Sequence, residues 1–169
     1  MQVHGEGRGS PPTVSYGEQW SSVSLEIVDP LDPQTARRRH ERGMRYTAIF
    51  GDPEHPWAFL EVRLEVPCID VNFLDQELRE DLGYTFGRAP DSEGGLFLEQ
   101  ATWTFYGSSS GEVEYEEIYV FEAPDLAQLT RCDYVTDEEE SFLGHADLAE
   151  NREPVPAFGD YASIARRER

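Results

Sequence analysis

The chain has 169 residues, 38% of them apolar, and a formal net charge of −20, with 34 Asp and Glu against 14 basic residues that are all Arg. Without Lys there is no P-loop lysine, no Schiff base to a carbonyl or pyridoxal group, and no kinase-type strand lysine. The length suits one domain over 14–169 behind a disordered Gly-, Pro- and Ser-rich tail over 1–13; with no apolar run of about 18 residues and no leader pattern in MQVHGEGRGSPP, a cytoplasmic protein without a membrane span is expected.

From Trp20, WSSVSLEIV alternates and predicts a strand with Val23, Leu25 and Ile27 on one face, ending at Asp29-Pro30. Asp32 before Pro33 predicts the cap and first turn of a surface helix over 33–42, with Gly43 as its stop. That helix holds Arg37, Arg38, Arg39, His40 and Arg42, with Arg45 just beyond. Such a cluster suits a phosphate, an acidic partner or the protein's own carboxylates. RYTAIF (45–50) and WAFLEVRLEV (57–66) predict a hairpin whose second strand turns Ala58, Leu60, Val62, Leu64 and Val66 inward. CIDVNF is expected to continue that strand after Pro67, and Asp75 to cap a short helix through Leu82 to Gly83.

After the loop RAPDSEGG, the runs 96–106 and 112–122 predict a second hairpin across GSSSG. With Tyr106 opposite Glu112, one face carries Phe97, Glu99, Ala101, Trp103 and Phe105 against Phe121, Tyr119, Glu117, Tyr115 and Val113. A register shift of two residues keeps the same faces. Further on, Asp125 with Gln128 and Thr136 with Glu139 read as helix caps, RCDYV as a strand, and Asp160 as the cap of a last helix. The fold class expected is α+β, a predominantly antiparallel curved sheet or partly closed barrel of six or seven strands with short peripheral helices.

In that register Glu99 and Glu117 are diagonal neighbours, about 7 to 8 Å apart, among Phe97, Trp103, Tyr115, Tyr119 and Phe121. Two carboxylates among aromatics can separate their pKa values and act as acid and base, and the aromatic face can line a pocket for a small flat ligand. Pairing of one or both with Arg45 or Arg63 explains them structurally instead. GSSSG matches G-x-S-x-G, with Asp133 or Asp137 and His145 downstream, but a strand rather than a helix follows it, so a hairpin turn is expected. Asp70 and Asn72 begin a calcium-loop pattern that fails at Leu74 and Asp75, and His4, His40, His55 and His145 lack paired spacing. No metal or cofactor is expected. Cys68 and Cys132 form no CxxC pair and are expected as reduced thiols, a single bridge being the alternative.

The acid is concentrated: residues 91–153 hold seventeen Asp and Glu against Arg131 and Arg152, a net of −15. Within this segment, Glu112, Glu114 and Glu116 share one strand face at a spacing of roughly 6.5 to 7 Å, and Asp137, Glu138, Glu139 and Glu140 form a second run. A negative field repels nucleic-acid backbones and attracts basic proteins. The first expectation is a non-enzymatic protein that neutralises a basic partner, like an inhibitor or immunity protein, with no direct nucleic-acid or membrane binding. A cavity enzyme or ligand binder using Glu99 and Glu117 comes second, and a DNA-mimicking anti-restriction protein third.

Overall fold

The structure, a computed structural model, describes residues 13–90, 94–108 and 110–169. All but the last residue of the expected tail lies outside them. In chain order the elements are β1 (Val14–Ser21), β2 (Glu26–Leu31), α1 (Pro33–Glu41), β3 (Tyr46–Asp52), β4 (His55–Arg63), β5 (Cys68–Leu74), β6 (Glu80–Arg88), β7 (Gly95–Tyr106), β8 (Val113–Glu122), β9 (Leu126–Asp133), β10 (Glu138–His145) and β11 (Arg152–Pro154). All eleven strands belong to one open antiparallel sheet, ordered β10-β9-β8-β7-β6-β5-β4-β3-β1-β2, with β11 paired to the Gly95 end of β7.

This corrects the expected α+β class with six or seven strands and a possible barrel: the sheet is larger, does not close, and α1 is the only α-helix among the described residues. Four expected helices were read from capping residues. A capping Asp and a hairpin Asp make the same bonds to backbone N–H groups two to four residues on. Asp75 Oδ1 accepts from the N–H groups of Glu77 and Arg79, both at 2.9 Å, in the β5–β6 turn. Asp133 Oδ1 likewise accepts from Val135 and Thr136 between β9 and β10. The segments after Asp125 and Thr136 are the strands β9 and β10, and that after Asp160 is a series of turns.

The expected strand from Trp20 to Val28 is the bend between β1 and β2, leaving Val23 almost fully exposed. Pro67 likewise ends a turn, so β5 reverses against β4 instead of extending it. The helix over 33–42 forms as expected, and so does the first hairpin as far as Arg63; Leu64 and Val66, expected on its inward face, lie in the β4–β5 turn, with Val66 exposed. Asp32 Oδ1 accepts from the N–H groups of Gln34 and Thr35, and Gly43 takes φ 72°, the left-handed stop that a side chain resists.

One face of the sheet forms the core. Tyr46, Ala48, Phe50, Ala58, Leu60, Val62, Ile69, Val71, Phe73, Leu82, Tyr84 and Phe86 alternate inward along β3 to β6. The segment 155–169 crosses this face, burying Tyr161 and Ile164 completely or nearly so. At α1, His40 Nδ1 lies 2.8 Å from the Tyr46 hydroxyl, which meets the Tyr161 hydroxyl at 2.9 Å.

Burial holds the His40 imidazole below its usual pKa, opposed by Glu41 and assisted by Arg37. A depressed folded-state value means that the unfolded chain binds the proton first as pH falls. Stability linked to His40 is therefore present above the ordinary histidine value of about 6.5 and lost as pH drops below it. The expected result is a melting temperature that falls between about pH 7 and 5, less steeply in His40→Gln; parallel curves for the two proteins would contradict it.

Candidate functional site

The second hairpin forms, with its register moved by two residues: Trp103 faces Glu117, Ala101 faces Tyr119 and Phe105 faces Tyr115. That shift preserves the faces from Ala101 onward. A bulge does not. Between Thr85 and Phe86 of β6, the partner on β7 jumps from Gln100 to Leu98, leaving Glu99 as an extra residue. Side-chain parity reverses there, so Leu96 and Leu98 join Ala101 and Trp103 in the core, while Phe97 and Glu99 turn to the other side.

The expected Glu99–Glu117 pair is therefore not assembled. Glu99 is exposed and lies over Gly87, where the absence of a Cβ leaves room for its carboxylate. Glu117 is partly buried and accepts from Tyr115 Oη at 3.2 Å, Tyr119 Oη at 3.1 Å and Arg131 Nε at 3.1 Å. A guanidinium and two phenols thus fix the orientation of its carboxylate. Its cation is Arg131, which faces it from β9, rather than the expected Arg45 or Arg63.

Trp103, Tyr119 and Phe121 do border an open cavity of about 480 Å³, lined also by Tyr84, Leu98, Asn151, Arg167 and Arg169. Phe97 is absent from it, packing instead with Ala89 and Leu148, and Tyr115 lies farther along β8 against Phe105. Both cavity arginines are committed: Arg167 pairs with Asp81, and Arg169 with Glu153 at 2.9 Å. The guanidiniums also stack on core rings, Arg169 over Phe86 at 4.8 Å and Arg167 over Phe73 at 5.6 Å. The cavity is thus an aromatic slot capped by cations, a shape for a planar ligand, and neither glutamate lines it.

On the opposite face, Glu80 was hidden inside an expected helix. Burial pushes its carboxyl pKa up, with the negative charge of Glu61 adding to the shift, in a polar groove lined by Asn72, Thr85, Gln100 and Thr104. Only the strand character of β6 reveals it; the local sequence, a capping Asp followed by Glu and Leu, reads as helix.

The acidic runs occupy the β8–β10 end of the sheet, which extends beyond the core. Glu112, Glu114, Asp137, Glu138, Glu139 and Glu140 are exposed and form no ion pair among the described residues. Glu116 differs, accepting from Tyr134 Oη at 2.6 Å and Thr104 Oγ1 at 3.2 Å. The strand beginning at Val113 lies between β7 and β9, so its glutamates do not guard an edge; the edge is β10. Every residue of β10 is exposed, including Phe142 and Leu143, the latter at 70%.

The arginine patch around α1 is largely satisfied internally. Arg39 pairs with Glu18, Arg45 with Glu61 at 2.8 Å, and Arg37 lies 4.8 Å from the Phe158 ring. Cys68 and Cys132 are free thiols on β5 and β9. Asp133 and His145 sit at opposite ends of the β9–β10 pair, so these two do not meet as the acid and base of a triad; Ser109 of Gly107–Gly111 lies outside the described residues. Exposed Asp52, Glu54 and His55 come together in the β3–β4 turn, an arrangement common on acidic surfaces without an ion. No helix among the described residues is long and apolar enough to cross a membrane. Compared with known proteins, the chain matches no family model, no curated protein and no solved structure.

Proposed function

We propose that this is a non-enzymatic binding protein of the cytoplasm whose acidic sheet extension neutralises a basic protein partner, in the manner of an inhibitor or immunity protein. The observation that carries this reading is the contrast between paired and unpaired acid. Glu18, Glu61, Asp70, Asp75 and Asp81 near the core each hold an Arg, whereas the carboxylates at 112, 114 and 137–140 face solvent without a cation. Unpaired charges on a surface free to approach a partner accelerate encounter and select its sign. Two free thiols accord with a reducing compartment.

Converting Glu112, Glu114, Glu138, Glu139 and Glu140 to Gln together is expected to slow association with a fluorescent polyarginine peptide at least about tenfold at about 50 mM salt, and to flatten its salt dependence. Stopped-flow kinetics reads both quantities. An unchanged rate and salt slope in the folded variant would sink the reading.

A further inference from the structure

We propose that β10 is the docking edge for the basic partner, which adds an extended segment to the sheet as a twelfth strand; this rests on the acidic-capture reading above. An open sheet has two edges, and here they differ. The outer strand at one end, β2, has six residues, with Pro30 inside it and Asp29 at φ 46°. A proline and a left-handed residue spoil an edge as a pairing template. The other edge, β10, has eight residues, no proline and continuous pairing to β9 from Glu138 to His145.

The register identifies the groups left unpaired among the described residues. The Ala146 N–H donates to the Asp125 carbonyl at 2.8 Å, and these two residues continue the β10–β9 pairing. Narrow and wide pairs alternate in an antiparallel ladder, so Glu138, Glu140, Phe142 and Gly144 turn their backbone groups toward β9. Glu139, Ser141, Leu143 and His145 turn theirs outward. The Tyr134 N–H bond to the Glu114 carbonyl, 2.9 Å, fixes the same phase from the β8 side.

The side chains specify the occupant. Glu138 and Glu140 project on the face of Arg131 and Glu117, Glu139 on the other, and Phe142 and Leu143 follow as an exposed apolar pair, one per face. The complementary segment is an extended peptide with Arg or Lys at successive positions against Glu138–Glu140 and apolar residues against Phe142 and Leu143. A second copy of this chain is the poorer occupant, since two bodies of net charge −20 repel.

The probe is a synthetic peptide of about ten residues with three successive Arg flanked by Val and Thr, plus a twin N-methylated on alternate amides, titrated by fluorescence anisotropy at low and high salt. Wild type is expected to bind the plain peptide. N-methylation, Ser141→Pro and Leu143→Pro are each expected to weaken binding about tenfold or more, because each removes edge hydrogen bonds while leaving all charges in place. Ser141 and Leu143 donate no N–H to β9, so circular dichroism should stay unchanged. The N-methyl twin, titrated against wild-type protein, decides the matter even if a proline variant unfolds. Equal binding of the twin, with loss on converting Glu138, Glu139 and Glu140 to Gln, overturns strand addition and leaves acidic capture standing. Loss with the twin but none with the Gln set overturns acidic capture and its complementarity argument. No binding by wild type at low salt overturns both, and a β10-dependent dimer in place of peptide binding overturns the choice of occupant.

Discussion

Tyr161→Ala is expected to lower the free energy of unfolding by about 3 to 5 kcal/mol, the range for truncating a fully buried aromatic side chain. Tyr161 is 2% exposed and meets the Phe50 ring edge-on at 5.8 Å. Its hydroxyl lies 2.9 Å from that of Tyr46, and burial raises both phenol pKa values. The companion Tyr161→Phe removes only the hydroxyl and is expected to cost about 1 kcal/mol. Urea titration separates them, with a large fall in midpoint for Ala, a small one for Phe, and little change in slope. An unchanged midpoint for Tyr161→Ala would show that the segment 155–169 does not seal the core.

Glu153→Ala acts on the same closure through charge. Glu153 and Arg169 have side chains 6% and 8% exposed, joined at 2.9 Å, with Arg166 reaching the same oxygen at 2.8 Å. Burial lowers the Arg169 pKa, opposed by its bond to Glu153. Removing the carboxylate takes the counter-charge from the Arg169 guanidinium and leaves it the Ser163 and Ile164 carbonyls as acceptors, and breaking a buried pair in this way costs about 3 to 5 kcal/mol. Glu153→Leu combined with Arg169→Met takes away both charges and is expected to recover most of that loss, since a well-packed apolar pair replaces a buried ion pair at little cost. Thermal and urea unfolding of the single and double variants check this, and a double variant as unstable as Glu153→Ala would contradict it.

The two results bear on the function proposed. The core face is covered by its closing segment, and beyond it the sheet extends to β10, which is exposed along its whole length. In an extension of this kind, charge substitutions at 112, 114 and 138–140 are expected to change binding with little effect on stability, because exposed unpaired carboxylates contribute little to folding. The same separation of tasks lets the proline variants at Ser141 and Leu143 report on docking alone.

Several elements were legible from local chemistry. The Asp32-Pro33 start and Gly43 stop bounded α1, because capping bonds are made within four residues. The alternation of Ala58, Leu60 and Val62 identified β4 and its inward face, and the β-rich runs around Gly107–Gly111 gave the β7–β8 hairpin. The acidity of residues 91–153 was likewise plain in the composition. The turn at Asp75 reads as a helix start because a short polar side chain bonds to the following N–H groups identically in a helix cap and in a hairpin.

The sequence by itself determined the strand-rich character, the capped start and the stop of α1, the sign and location of the charge, and the lack of lysine chemistry. Each depends on residue type or on spacing within a few positions. Tertiary structure decided which residues meet: the bulge at Glu99 that sends it away from Glu117, the pairing of Glu117 with Arg131, the pairing of buried Glu153 with Arg169 of the closing segment, and the placing of β10 rather than β8 at the sheet edge. These are properties of pairing between strands, where one extra residue reverses every side chain beyond it, and no local pattern within a single strand encodes its neighbour.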